Sequence, residues 1–327
     1  MARAVEADAD HLIAVTLLTP VDGEVVVHAW VAEALAKHQG DTAADRHLRA
    51  HDMRWHRITG RRGGFDDLVE MARHLAAAGR TDDLVDFAFA ISNQLPGELA
   101  VAAFLGEVLP SVPQEHPRFL PLMGREQQAL IATGNRAAAL TRAQEQLRVA
   151  QVRVDTEPSN VGFQRDLSVS YSKLGDLAQA AGDAAVARDW YMQGLEIARR
   201  LVQADPGNVQ FQRDLSVSYE RLGDLAQAAG DAAAARDWYM QGLEIRRRLA
   251  QADPGNVQFQ RDLSISYDRL ATLSIVRDPA EARRLWQAAR DIVRRLAEID
   301  SSNASYASDL GYYDARLAEL DAPADGS

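Results

Sequence analysis

Apolar and polar residues follow each other along residues 208–255 with the period of an α-helix, interrupted once near the middle. In the first half, apolar residues recur at three- and four-residue steps: Phe211, Leu215, Tyr219, Leu222, Leu225 and Ala226. In the second half, a similar stripe is formed by Ala235, Tyr239, Leu243 and Leu249. Asn208 and Asp231 can cap the two helices, and Gly230 ends the first of them. The pattern therefore predicts two antiparallel helices joined by a short turn.

The same pattern repeats along the chain with a period of 48 residues. Residues 160–207 and 208–255 differ at only six positions, a third copy begins at Asn256, and a partial fourth begins at Asn303. Upstream, the spacing of glycine, alanine and proline indicates a degenerate copy from residue 112. A single helix pair leaves its apolar stripe open to water, so consecutive pairs must stack and share their stripes. We therefore expect one continuous α-solenoid.

These repeats resemble the tetratricopeptide repeats in where they place bulky residues, small residues and glycines. In residues 160–207 the matching positions are Tyr171, Leu174, Gly175, Gly182, Ala187 and Tyr191. In residues 208–255 they are Tyr219, Leu222, Gly223, Gly230, Ala235 and Tyr239. The resemblance implies an all-α, right-handed α-solenoid of antiparallel helix pairs. Two features depart from the family: the period is longer, and Ala178 or Ala226 stands where an aromatic residue is preferred.

The resemblance further implies that the first helix of each pair lines a concave groove, along which a peptide or partner segment binds. The candidate partner-binding residues are Ser172, Lys173, Asp176, Gln179, Glu220, Arg221, Asp224, Gln227, Asp268, Arg269 and Thr272. They are polar and of mixed charge, with acids slightly in excess. Two interpretations stay open. The set is either an ordinary solvated face or a groove for a polar or basic segment of a partner protein.

The first third of the chain shows no repeat, and its pattern predicts a short β-hairpin within residues 10–28 followed by helices. The helices are predicted at residues 42–58, 65–78, 82–94 and 97–108. The segment Val27-His28-Ala29 resembles the end of the winged-helix domain in signal-transduction ATPases of the STAND class. That resemblance implies that His28 contacts a nucleotide only if an ATPase domain is present. Alternatively, His28 is an ordinary residue at a strand-to-helix junction.

The patterns together divide the chain into four expected regions. The regions are a winged-helix-like remnant with the hairpin at 1–40, a helical linker at 41–111, the solenoid at 112–320 and a disordered tail at 321–327. Within the solenoid we expect a degenerate copy at 112–159, full copies at 160–207, 208–255 and 256–302, and a capping helix at 303–320.

Composition excludes several classes of function. The 327 residues carry a formal net charge of −11, which disfavours nucleic acid as the main partner. The chain has no cysteine, no GxxxxGK[ST] phosphate loop and no GxSxG nucleophile motif. No stretch is apolar for long enough to cross a membrane, and no signal-peptide pattern opens the chain. The sequence therefore predicts a non-catalytic, cytoplasmic protein without a cofactor.

His47 and His51 stand four residues apart beside Asp52 and His56, a spacing compatible with zinc, but no third ligand is evident, so no metal site is predicted. Three functions remain for the whole chain. The first is the sensing region of a bacterial STAND-type regulator, in which the repeats bind a protein or peptide trigger and an upstream ATPase or effector module responds. The alternative is a self-contained adaptor, and a further alternative is an enzyme with an unrecognised motif.

Overall fold

The computed structural model describes residues 18–21, 24–27, 42–60 and 63–321 of the chain. The chain divides into two compact units, Met1–Asn135 and Arg136–Ser327. His28, with the rest of residues 28–41, lies outside the described residues, as do residues 322–327 of the tail predicted at 321–327. Asp321, the first residue of that predicted tail, is helical.

The described part of the first unit contains two strands and five α-helices. β1 (Leu18–Val21) and β2 (Glu24–Val27) pair antiparallel, with Leu18 opposite Val27 and Val21 opposite Glu24. The helices are α1 (Ala43–Thr59), α2 (Phe65–Ala77), α3 (Thr81–Gln94), α4 (Glu98–Val108) and α5 (Phe119–Ala132), with a 3-10 turn at Leu109–Ser111. Helices α1 to α4 coincide closely with those that the hydrophobic period predicts.

Local signals and burial explain how the first unit is built. Thr42 caps α1, because its side chain accepts a hydrogen bond from Asp45 N at 3.1 Å while the Asp45 carboxylate accepts one from Thr42 N at 3.0 Å. Helices α2 to α5 share a core whose fully buried large side chains include Met71, Leu84, Phe104, Leu105, Leu122 and Met123. Helix α1 contributes no fully buried residue and packs on α2.

The described part of the second unit contains eight helices. They are α6 (Arg136–Thr156), α7 (Val161–Ala180), α8 (Ala184–Ala204), α9 (Val209–Ala228), α10 (Ala232–Ala252), α11 (Val257–Ser274), α12 (Pro279–Ile299) and α13 (Ala304–Asp321). Within this unit, helices that are consecutive along the chain pack against each other. We call α7, α9, α11 and α13 the first helices of their repeats, and α6, α8, α10 and α12 the second helices. The predicted fold class, an all-α solenoid of antiparallel helix pairs, is confirmed.

Equivalent residues make equivalent local structure in each repeat. The same N-cap opens α7, α9 and α11: Asn160, Asn208 and Asn256. In α9, for example, Asn208 Oδ1 accepts a hydrogen bond from the backbone N of Phe211 at 3.2 Å. Between the helices of a pair, Gly182 and Gly230 adopt φ angles of 84° and 78°, a left-handed conformation that glycine takes without strain. The turn glycine of the repeat is therefore a backbone requirement.

The Leu-Gly pair of the repeats at 160–207 and 208–255 has a packing role. A methyl group added at Gly223 of α9 would come within 2.4 Å of the ring of Tyr239 in α10. Gly175 and Tyr191 make the same close contact in the preceding repeat, where the distance would be 2.3 Å. Both rings are almost fully buried. Glycine at this position allows the aromatic ring of the second helix to lie directly against the first helix.

The start of the repeat array differs from the boundary that the sequence suggests. The predicted degenerate copy at 112–159 contains both α5 and α6. In the structure, α5 belongs to the first unit, where it packs on α4 and buries Phe119, Leu122 and Met123, whereas α6 belongs to the second unit. The apolar stripe of α5 completes the core of the first unit. The spacing of residues along the sequence predicts that a helix has an apolar stripe, but it does not show which helix packs against that stripe.

Candidate partner-binding face

One face of the first helices carries similar residues at equivalent positions. The first-helix strip consists of Arg165, Val169, Lys173 and Asp176 in α7; Arg213, Val217, Arg221 and Asp224 in α9; and Arg261, Ile265, Arg269 and Thr272 in α11. Steps of three and four residues place these side chains on one face of each helix. Equivalent residues recur every 48 positions, so each of these three first helices carries its own part of the strip.

Ion pairs join neighbouring first helices along one edge of the strip. The pairs are Arg165 Nε with Asp214 Oδ2 at 2.5 Å, Arg213 Nε with Asp262 Oδ2 at 2.7 Å, and Arg261 Nη2 with Asp309 Oδ2 at 3.9 Å. They connect α7 to α9, α9 to α11 and α11 to α13. In α13 the arginine position is occupied by Ser308, so this row of pairs ends with the last helix.

A second row of ion pairs crosses the same helices two to three turns further along. Arg221 donates to both carboxylate oxygens of Asp176, from Nε at 2.7 Å and from Nη2 at 2.9 Å. In the next repeat Arg269 Nη2 donates to Asp224 Oδ2 at 3.3 Å. The equivalent acid position in α11 is Thr272, so the row ends there. Asp176 and Asp224, which the sequence places in the groove, are therefore already paired with arginines.

Tyrosines of the second helices tie the strip to the interior. The hydroxyl oxygen of Tyr191 lies 2.8 Å from Asp176 Oδ1 and 2.9 Å from Gln179 Oε1. In the next repeat the Tyr239 hydroxyl lies 2.6 Å from Asp224 Oδ1 and 2.8 Å from Gln227 Oε1. Burial, followed by the neighbouring carboxylate, raises the pKa of both phenols well above the ordinary value. Both hydroxyls therefore stay protonated, and each can donate its single proton to one of these two oxygens at a time.

Burial and the neighbouring partner groups act in opposite directions on the pKa values of Asp224 and Arg221. Burial is the largest influence on the pKa of Asp224 and raises it, although the hydrogen bond from Tyr239 and the charge of Arg269 act in the opposite direction. Burial acts to lower the pKa of Arg221, but the hydrogen bond and charge of Asp176 outweigh it and raise that pKa. Each arginine thus stays charged next to its carboxylate.

The two nearly identical repeats differ in one buried ion pair. Arg246 of α10 donates through Nη2 to Glu220 of α9, where the preceding repeat has Ala198 and Ser172. Arg246 is 4% exposed, and its Nη1 also donates to Ser266 Oγ of α11 at 2.9 Å. Two of the six substitutions between the repeats are therefore the two halves of one interaction. Arg246 was not among the residues predicted from the sequence. Its signal was that Glu220 and Arg246 both appear in residues 208–255, whereas neither charge is present in the preceding repeat.

The remaining candidates in α7 and α11 also have partners inside the array. Lys173 Nζ donates to Gln146 Oε1 of α6 at 2.8 Å, and burial lowers the pKa of this lysine to about 8. Asp268 Oδ1 accepts a hydrogen bond from Trp286 Nε1 at 2.9 Å. Ser172 is buried in the α7–α8 pair, so it does not lie on the open face where the sequence reasoning placed it.

Part of the strip is accessible. The side chains of Asp176 and Arg269 are 44% and 41% exposed. Val169, Val217 and Ile265 lie between the two rows of ion pairs and are partly exposed. The sequence reasoning did not single out these apolar residues. Their signal was the recurrence of a β-branched residue at the same position of three successive first helices, α7, α9 and α11.

Outside the strip, the described residues were searched for a histidine cluster, a metal site and a membrane-spanning helix. His47 Nδ1 and His74 Nδ1 lie 3.2 Å apart where α1 meets α2, and burial is the main cause of the lowered pKa of His74. Within the described ranges, no three or more histidines, aspartates or glutamates are grouped so that they could hold a metal ion. None of the helices described combines the length and apolar character needed to cross a membrane.

Comparison with known proteins agrees with the architecture of the second unit. Residues 215–254, which span most of α9 and all of α10, match a family model described as tetratricopeptide repeat. The second unit therefore contains a tetratricopeptide repeat in a tetratricopeptide-like α-solenoid. A search of curated proteins found no match.

Several solved structures are similar to the chain at low sequence identity. BtubC (BKLC) from P. vanneervenii is 15% identical with a TM-score of 0.49, covering 80% of this chain and 94% of its own. The tetratricopeptide protein TTC0263 from Thermus thermophilus is 14% identical with a TM-score of 0.37, covering 78% and 100%. A Podosopora anserina protein with nearly identical TPR-like repeats is 19% identical with a TM-score of 0.36, covering 72% and 97%. Conclusions about function therefore rest on the residues of this chain.

Proposed function

We propose that the chain is a non-catalytic, cytoplasmic protein–protein interaction module in which a segment of a partner protein binds along the first-helix strip. The tetratricopeptide match supports this proposal, because repeats of this kind generally serve to bind other proteins. We propose no reaction for the strip. Its acids are held by arginines and tyrosines, which leaves no free acid–base pair beside a nucleophile.

The observation that carries the proposal is the pairing of arginine and aspartate in register between successive first helices. These pairs fix the positions of neighbouring helices without requiring a ligand. A surface that is already ordered loses little conformational freedom on binding, and more of the interaction energy then appears as affinity. The repeated strip is therefore suited to a segment that crosses several first helices.

The test compares two double variants. Val169→Arg with Val217→Arg places bulky charges on the strip, and Met192→Arg with Met240→Arg places them on α8 and α10, where the methionines are 39% and 46% exposed. Each protein is used to capture partners from an extract of the source cells, followed by mass spectrometry. We expect a partner that wild type and the methionine variant retain and the strip variant loses.

Circular dichroism and thermal melting establish that both variants remain folded. A partner retained by both variants, or lost equally from both, would contradict the assignment of the strip as the binding face.

A finer proposal is that these repeats are the sensing region of a STAND-type regulator coupled to an upstream ATPase or effector module. Its support is the resemblance of Val27-His28-Ala29 to the winged-helix end of that class, and His28 lies outside the described residues. The test is the natural reading frame. A frame that continues upstream into a GxxxxGK[ST] motif favours the sensor, and a natural start at Met1 favours the self-contained adaptor.

A further inference from the structure

We infer that the contact between α1 and α2 is sensitive to pH: α1 stays docked while at least one of His47 and His74 is neutral, and it is released when both are protonated. The inference concerns the first unit and does not depend on the proposed function of the first-helix strip. Its basis is the geometry of two imidazole rings in a helix contact to which α1 contributes no fully buried residue.

The two rings meet directly between the helices. His47 Nδ1 and His74 Nδ1 lie 3.2 Å apart, and the ring centroids are 5.4 Å apart. A hydrogen bond between two imidazole nitrogens needs one nitrogen that carries a proton and one that does not. The contact is therefore satisfied when at least one ring is neutral. When both rings are charged, both nitrogens carry protons and two positive charges face each other.

The rest of the α1–α2 contact includes ion pairs and little buried apolar surface on the α1 side. No residue of α1 is fully buried, which limits the apolar contribution to docking. Asp67 Oδ1 of α2 lies 2.8 Å from Arg54 Nη1 and 3.5 Å from Arg57 Nε of α1. Helices α2 to α5 have a buried core of their own. A change at the histidine pair can therefore shift the docking of α1 while that core stays folded.

The surroundings of His74 oppose its protonation. Burial is the largest cause of its lowered pKa, followed by the positive charge of Arg54 and by His47. Glu70 on the same helix acts in the opposite direction, and His51 of α1 adds a smaller effect that again lowers the pKa. The docked state thus binds fewer protons than the released state. Docking is therefore stable above the ordinary histidine pKa of about 6.5 and loses stability as the pH falls below it.

Helices α3 and α4 also pack on α2, and their acids are bonded to other residues. The pairs are Asp82 with His116, Asp83 with Arg80, Asp86 with Arg118, Glu98 with Arg125 and Glu107 with Arg73. Glu70 is likewise bonded to Arg73. Each of these carboxylates is thus held by a residue other than His47 or His74.

The experiment measures hydrogen exchange of the full chain by mass spectrometry, corrected for the intrinsic effect of pH on the exchange rate. The two conditions are about pH 7.5 and about pH 5.5, which span the ordinary histidine pKa and stay above the ordinary carboxylate values of about 4. We expect the protection of the α1 amides to fall by at least about threefold at the lower pH, while that of α3 and α4 changes little.

Variants of the chain test whether the histidine pair causes the change. His47→Gln and His74→Gln each replace one titrating ring by a neutral amide, so each should abolish the pH-dependent loss of α1 protection. His56→Gln is the matched control, because His56 is an exposed histidine of the same helix, and it should keep the loss. An unchanged α1 in the wild type, or the same loss in all three variants, overturns the inference.

Nuclear magnetic resonance of the imidazole signals gives a second readout. In the wild type, His47 and His74 should titrate in two separate steps, because the first proton opposes the second. In His47→Gln, His74 should titrate closer to the ordinary value of about 6.5. A single shared step in the wild type, or a His74 titration that His47→Gln leaves unchanged, would also contradict the inference.

Discussion

Arg246 illustrates how one side chain can connect three helices. It belongs to α10 and donates to Glu220 in α9 and to Ser266 in α11. The equivalent residue of the preceding repeat, Ala198, is 2% exposed. A methyl group with serine opposite it, or a guanidinium with glutamate opposite it, can therefore occupy equivalent positions in otherwise similar repeats. Mixed combinations leave a buried charge without its partner.

We predict that Arg246→Ala alone destabilises the chain by about 3 kcal/mol, because Glu220 loses its buried counter-ion. The double variant Glu220→Ser with Arg246→Ala reproduces residues Ser172 and Ala198 of the preceding repeat and should recover most of that loss. Urea denaturation of the wild type, both single variants and the double variant gives the coupling energy. Additive effects of the two substitutions would show that the pair does not act as a unit.

At the scale of the elements, the distance between the two helices of a repeat is set by glycine opposite an aromatic ring. Gly223 in α9 allows Tyr239 of α10 to lie against the helix backbone, while Asp224 and Gln227 hold the tyrosine hydroxyl. The ring is fixed at both ends, so it has little freedom to move aside. This contact determines how closely α9 and α10 pack.

We predict that Gly223→Ala destabilises the second unit by about 1–3 kcal/mol, because the added methyl group meets the Tyr239 ring. Gly311→Ala is the matched control. Gly311 is also inside a helix, α13, but a methyl group there meets nothing within 4 Å, so this variant should be neutral or stabilised by up to about 1 kcal/mol. Thermal and urea melts of the two variants provide the comparison. Equal effects would mean that helix propensity, rather than the crossing, governs both positions.

At the scale of the whole molecule, equivalence between repeats makes the array adjustable in length. Removing residues 208–255 joins Gly207 to Asn256, and Asn256 takes the place of Asn208 as N-cap. In the shortened chain Arg165 meets Asp262 in place of Asp214, so the pairing between first helices is preserved. Glu220 and Arg246 leave together.

We predict that the chain without residues 208–255 folds and unfolds cooperatively, with a lower Tm because one interface between repeats is lost. The denaturant m-value of the second unit should fall by about one quarter, since m follows the surface exposed on unfolding. The control deletes residues 232–255 alone, which removes α10. Helix α9 would then be followed directly by α11, another first helix, and the antiparallel pairing of first and second helices would be broken. Size-exclusion chromatography and circular dichroism distinguish the two deletions. Aggregation of the 48-residue deletion would contradict the equivalence of the repeats.

Much of the second unit could be predicted from the sequence, because its signals act over short distances. Helix caps such as Asn208, turn glycines such as Gly230 and the three- and four-residue apolar steps each operate within one or two helical turns. The site was less predictable. Asp176 and Arg221 are 45 residues apart, and their bond depends on how closely α7 and α9 lie. Spacing indicated a row of polar groups and did not show that they neutralise each other.

The sequence by itself determined the helix pairs, their period and the equivalence of residues one repeat apart, because identical local sequences meet identical local constraints. Only the tertiary structure decided which helix covers which stripe. It placed α5 in the core of the first unit, turned Gln179 and Gln227 toward buried tyrosines, and left Val169, Val217 and Ile265 between closed ion pairs. Burial and charge pairing depend on distances between helices, and those distances exist only once the helices have packed.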